Sequence, residues 1–214
     1  MARSFAAEYA TASTRVCWPT TSVGGAMRIS TRLAGDIPHK AFDNFRGPLQ
    51  RAISCVNSEA HLWALGSNGY APGQTHAVIP NAGEAVRLAG TRSLRLTCQF
   101  SYRVEKAEGE HGLWKVTTEA YQHALEDEDG KEIIAYHWHP ERGSVYNFPH
   151  LHIGTGVGAS LGSIHKHHFP TGRVSLEDVL RLAIKEFGAE PARADWEEVL
   201  EETQAIYEAL RTWP

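Results

Sequence analysis

The sequence predicts an α+β protein: an antiparallel β-meander with two C-terminal helices packed on one of its faces. Three observations predict it. Apolar and polar residues alternate strictly from Leu94 to Val104, the period-two signature of a half-buried strand. Asp129-Gly130 lies between two further strand-like segments and is a strong hairpin signal. Beyond Ser175 the apolar period becomes helical, and strands followed by helices mark the α+β class.

Residues 1–26 read as an extension, disordered or not native, with Met27 as an alternative start to Met1. Their Ala, Thr, Ser and Gly composition can bury little. They lack the apolar core, about 7–15 residues, of a secretory signal. Arg3 and Arg15 among Ser and Thr form only part of a transit-peptide pattern. Residues 27–92 form a loop-rich N-terminal part. Ile29 and Thr31 fall on one face of a short strand after Met27. Ala41–Val56 reads as an irregular amphipathic helix, interrupted by Gly47-Pro48. The stretch from Asn57 to Gly90 reads as loops with short apolar pieces at His61–Leu65 and Ala77–Ile79.

Residues 93–214 form the α+β core. The first strand runs from Ser93 through Val104. A second spans Leu113–Leu125, with Trp114, Val116, Thr118 and Ala120 on one face. The acidic turn Glu126–Lys131 leads to a third strand, Glu132–His139. Residues Pro140–Ser144 turn the chain into a fourth, Val145–Ile153. Ser175 with Asp178 forms a capping box. Leu176, Val179, Leu180, Ala183, Ile184 and Phe187 follow at helical spacing, and Gly188 sits where a helix exit wants glycine. Asp195 with Glu198 opens the second helix, whose stripe is Val199, Leu200, Ile206, Tyr207 and Leu210.

Composition narrows the function classes. The chain has 214 residues, 42% hydrophobic and 21% charged, and a formal net charge of −4. This balance can bury a full core and implies no strong nonspecific attraction to nucleic acid. A local basic patch of Arg142, Lys166 and Arg173 lies near the histidines in sequence. Cys17, Cys55 and Cys98 are odd in number and far apart, which suggests reduced thiols in a cytoplasmic protein rather than a disulfide framework or zinc knuckle. No apolar run approaches the ~20 residues that span a bilayer, so no membrane partner is expected.

Histidine is the anomaly. Seven of the twelve lie within positions 137–168: His137, His139, His150, His152, His165, His167 and His168. An even spread would place about two there. His137-Trp138-His139 ends one predicted strand, and His150-Leu151-His152 lies in the next. Residues two apart on a strand share a face, and cross-strand neighbours lie about 5 Å apart. Four imidazoles can therefore converge, while His165–His168 follows a glycine-rich loop and is less constrained.

Two chemistries suit that convergence. As general acids and bases, His137, His139, His150 and His152 would serve metal-independent RNA cleavage without a cofactor. Arg173 or Lys166 would then clamp the phosphate, and Tyr136 or Tyr146 would orient or donate. As ligands, the same four histidines would hold zinc or another divalent transition metal, with Glu141 as a nearby carboxylate. The spacing matches neither HExxH nor the cupin pattern. A histidine-triad nucleotidyl transferase would need a further alternating histidine where Gly154 stands. The bland reading is that these side chains decorate a polar sheet face, with Trp138, Phe148 and Leu151 on its core side. Gly154-Thr-Gly-Val-Gly158 is not followed by Gly-Lys-Ser/Thr and reads as a loop. Glu197, Glu198, Glu201 and Glu202 read as a solvated helix face.

Tyr136-His-Trp138, Phe148-Pro-His150-x-His152 and Ser175-Leu-Glu-x-Val-Leu180 together resemble the pattern of the TumE-type proteins of bacterial toxin–antitoxin loci. The resemblance covers roughly residues 94–187. The chain departs from it by a longer N-terminal half, a longer His152–Thr171 segment and an extra C-terminal helix. It implies a translation-directed toxin, an RNase with an RNA substrate, neutralised by a cognate antitoxin protein. A non-catalytic protein-interaction module is the remaining alternative, its sheet edge binding a partner.

Overall fold

The structure is a computed structural model that describes residues 34–65, 68–107, 113–140, 146–154 and 164–210. The expected strand around Ile29 and most of the turn after Pro140 lie outside these residues. Helix α1 spans Pro38–Ile53. It begins at a proline, whose fixed φ suits a first helical turn, and it contains Pro48 without ending there. Ala41, Phe42, Leu49, Ala52 and Ile53 form its buried stripe.

The region read as loops contains three strands. β1 (Leu62–Ala64) pairs antiparallel with β2 (Thr75–Pro80), and β2 pairs with β4 (Leu94–Lys106). β3 (Val86–Leu88) pairs with the start of β4, so β2 and β3 share one edge of it. β1 and β3 are each three residues long. That is too short for an alternation to register, and what makes them strands is pairing, β1 with β2 and β3 with the start of β4.

From β4 onward the chain is a meander: β5 (Trp114–Glu126), β6 (Glu132–Trp138), β7 (His150–Ile153) and β8 (Phe169–Pro170), each antiparallel to its neighbour. The order across the sheet is β1-β2-β4-β5-β6-β7-β8. Leu94, Leu96, Cys98, Phe100, Tyr102 and Val104 are all buried, as their alternation predicts. β5 departs from its expected face. Tyr102 pairs with Thr118 but Ser101 pairs with Ala120, so Glu119 is a bulge residue. One extra residue reverses the phase. The core-facing set becomes Trp114 and Val116 before the bulge, then Tyr121, His123 and Leu125 after it. β7 begins at His150 rather than Val145, directly after Pro149, which has no amide hydrogen to give a ladder.

The turn between β5 and β6 follows its sequence. Asp127 Oδ1 accepts from the amides of Asp129 and Lys131 at 3.0 and 2.8 Å. Gly130 takes a positive φ of 79°, which glycine adopts without steric cost.

Helices α2 (Leu176–Lys185) and α3 (Trp196–Leu210) close the fold. Ser175 and Asp178 form the expected capping box, and Gly188 takes φ 74° at the helix exit. The Tyr121 hydroxyl accepts from the Val174 amide at 3.0 Å, which ties the entry of α2 to β5. Leu176, Val179, Leu180, Val199 and Leu200 join Phe42, Ile53, Leu96, Phe100 and Tyr121 in one core. All three helices therefore contribute to one core with the sheet, and the opposite sheet face stays polar around Gln99 and Gln122. No helix among the described residues is long and apolar enough to cross a membrane.

Candidate metal centre

Register places the histidines. His137 on β6 lies directly opposite His150 on β7, and His152 lies opposite Ala135. The row Gln99, Gln122, His137, His150 therefore runs across one sheet face. The adjacent row Cys98, His123, Tyr136, Leu151 points to the core. His139, one residue past β6, and His168, one residue before β8, flank the pair. Ring centroids are 5.8 Å apart for His137–His150 and 4.6 Å for His137–His152. They are 5.2 Å for His139–His150, 4.9 Å for His150–His168 and 4.3 Å for His152–His168.

Five imidazoles thus form one cluster, with two overlapping trios able to offer ligand atoms within 4.8 Å of one another: His137, His139, His150 and His150, His152, His168. His150 belongs to both. Its Nδ1 lies 2.8 Å from the Phe148 carbonyl oxygen. A carbonyl can only accept, so Nδ1 carries the hydrogen and Nε2 keeps the lone pair. This is the outer-shell bond that orients metal-ligating histidines. Nε2 of His150 is buried and has no hydrogen-bond partner, as are Nε2 of His137 and Nδ1 of His168.

His137, His150 and His152 favour their neutral form. Burial, then the neighbouring imidazoles, hold His137 and His152 down at about 4. Burial also lowers His150, offset in part by its bond to the Phe148 carbonyl. The charged neighbours bearing on these three rings are all histidines. Tyr146 stacks on His168 at 3.9 Å and 6°, at the edge of the cluster.

The four histidines expected from the sequence come together, and His168 joins them. His165 and His167 are exposed. The signal for His168 was the His-Lys-His-His run, but its position depends on the two-residue strand β8. The other candidates lie elsewhere. Tyr136 packs against the hydrophobic core on the helix-covered face. The Arg173 guanidinium sits 3.5 Å from the centroid of Trp138, a core residue of that same face, so the expected phosphate clamp is not placed beside the histidines. Lys166 is exposed. Glu141 and Arg142 lie outside the described residues. Gly154 closes β7 where no side chain fits: a Cβ there would collide with the Glu132 carbonyl.

No family model matches this chain, and neither do curated proteins or solved structures.

Proposed function

We propose that this protein binds a divalent transition-metal ion, zinc foremost, through the histidine cluster of β6, β7 and the segment entering β8. The observation that carries this reading is the set of buried, unpartnered ring nitrogens on His137, His150 and His168 within one cluster. A buried polar atom without a partner costs about 1–3 kcal/mol, and a metal bond would remove that cost. The donor set is all imidazole, which suits zinc, copper, nickel and iron and not the oxygen-seeking calcium or magnesium. Because His150 offers only Nε2, it can serve one trio at a time, so one ion bound through His150 is the expected stoichiometry.

Metal-independent RNA cleavage is less well supported. A general acid works best with a pKa near the operating pH, whereas His137 and His152 are held at about 4. The expected phosphate clamp, Arg173, lies over Trp138.

Calorimetric titration of metal-free protein with zinc tests the proposal. One ion per chain is expected, with His150→Ala weakening affinity by about 100-fold or more, beyond the 10–100-fold typical of an outer-shell change. No zinc binding, or binding indifferent to His150→Ala, would overturn it.

A further inference from the structure

We infer that the ion takes His150, His152 and His168 rather than His137, His139 and His150, and that it thereby latches β8 onto the sheet, so that the outermost strand docks in a metal-dependent way. The inference rests on the metal-binding reading above.

Distances choose the trio. Ring centroids are 4.9 Å apart for His150–His152, 4.9 Å for His150–His168 and 4.3 Å for His152–His168. In the other trio they are 6.1 Å for His137–His139, 5.2 Å for His139–His150 and 5.8 Å for His137–His150. Zinc holds its nitrogens at about 2.0–2.1 Å, so the compact trio reaches that geometry with less movement. Two buried, unpartnered nitrogens belong to it, Nε2 of His150 and Nδ1 of His168. Tyr146, stacked on His168 at 3.9 Å, steadies that ring. Ligand atoms shielded from solvent suit an ion that holds structure together.

The strand beside His168 is weakly held by the chain itself. β8 is two residues long and pairs only Phe169 with Leu151 and Pro170 with His150. Proline has no amide hydrogen to give the ladder. Among residues 165–170 only His168 is not exposed, and Phe169 is 38% exposed, so burial adds little. The next tie is the Thr171 amide, which donates to the Pro149 carbonyl at 2.9 Å. An ion joining His168 to His150 and His152 cross-links β8 to β7 and closes the chain between them, as metal clips do. Opening of β8 in the metal-free chain gives the ion its way in, because its nitrogens are shielded once the strand docks. β8 is also the last strand of the sheet. With β8 undocked, β7 becomes the edge, whose unpaired backbone groups can template another strand. The ion therefore governs which strand ends the sheet.

Amide hydrogen exchange of the full chain, with and without saturating zinc, tests this. Zinc binding stabilises every region that exchanges by global unfolding, so β4 serves as the internal reference. Exchange at Thr171 should slow by about 10-fold or more beyond any slowing in β4, within the usual range of coupling between sites. Coupling is reciprocal, so His168→Ala should abolish the excess slowing and weaken zinc affinity by a similar factor. His139→Ala should leave both unchanged. Zinc binding that depends on His150 while Thr171 merely follows β4 would overturn the latch and leave the metal reading intact. Loss of zinc affinity in His139→Ala but not in His168→Ala would overturn the choice of trio, and the latch with it. Failure of zinc to bind at all would overturn the metal reading itself.

Discussion

His123→Phe should make the fold less sensitive to mild acid than the wild type. His123 is 1% exposed and sits between Phe100 and Tyr121, each ring 4.9 Å away. Neither of its ring nitrogens has a partner. Burial above all holds its pKa at about 3, against 6.5 for a free histidine. Below pH 6.5 the unfolded chain takes up a proton that the folded chain refuses. This contribution to stability is complete above 6.5 and is lost as pH falls toward 3. At pH 4, with 6.5 unfolded and about 3 folded, the loss is about 2–4 kcal/mol. For a chain of this size that is roughly 4–16 °C in Tm. Phenylalanine cannot take the proton and can occupy the same stacked site. The assay is urea unfolding of both metal-free proteins from pH 7 to pH 4. The gap between the variant and the wild type should shift in favour of the variant by about 2–4 kcal/mol across that range. Parallel loss of stability in both proteins would refute the reasoning, whatever their absolute difference at pH 7.

Glu177 should show the opposite sign. It is 1% exposed with Oε2 unpartnered, and burial raises its pKa from 4.5 to about 6. Its contribution is present below pH 4.5 and is lost as pH rises through 6, so Glu177→Gln should gain about 2 kcal/mol over wild type at pH 8 and almost nothing at pH 4. Thermal unfolding at both pH values checks this. Gly154→Ala should push β7 away from Glu132, costing about 1–3 kcal/mol as overpacking does. It should also weaken zinc affinity, because β7 carries His150 and His152; unfolding and zinc titration of the same variant read both effects.

Those sites differ in how far the sequence discloses them. The alternation in β4 was legible because one face meets a single continuous core. β5 was legible as a strand but not in phase. Nothing in Thr118-Glu119-Ala120 announces the bulge that turns Tyr121 and His123 inward. β1 and β3 hold too few residues to show a period, and pairing rather than pattern makes them strands. The two HxH pairs were legible because period two fixes their shared face, and neighbouring strands bring the pairs together. His168 depends on a long-range pairing of β8 that no local spacing encodes. Arg173 was close to the histidines in sequence, but Trp138 points to the other face and takes the guanidinium with it.

The most direct measurement is the zinc-edge X-ray absorption spectrum of the loaded protein, compared with that of His150→Ala. The expected spectrum shows imidazole nitrogens at about 2.0–2.1 Å, a fourth light atom, and no sulfur near about 2.3 Å. The His150→Ala protein should lose the ion or an imidazole from its shell. A sulfur-containing shell, an all-oxygen shell, or a spectrum identical in the two proteins would contradict a metal centre built on His150.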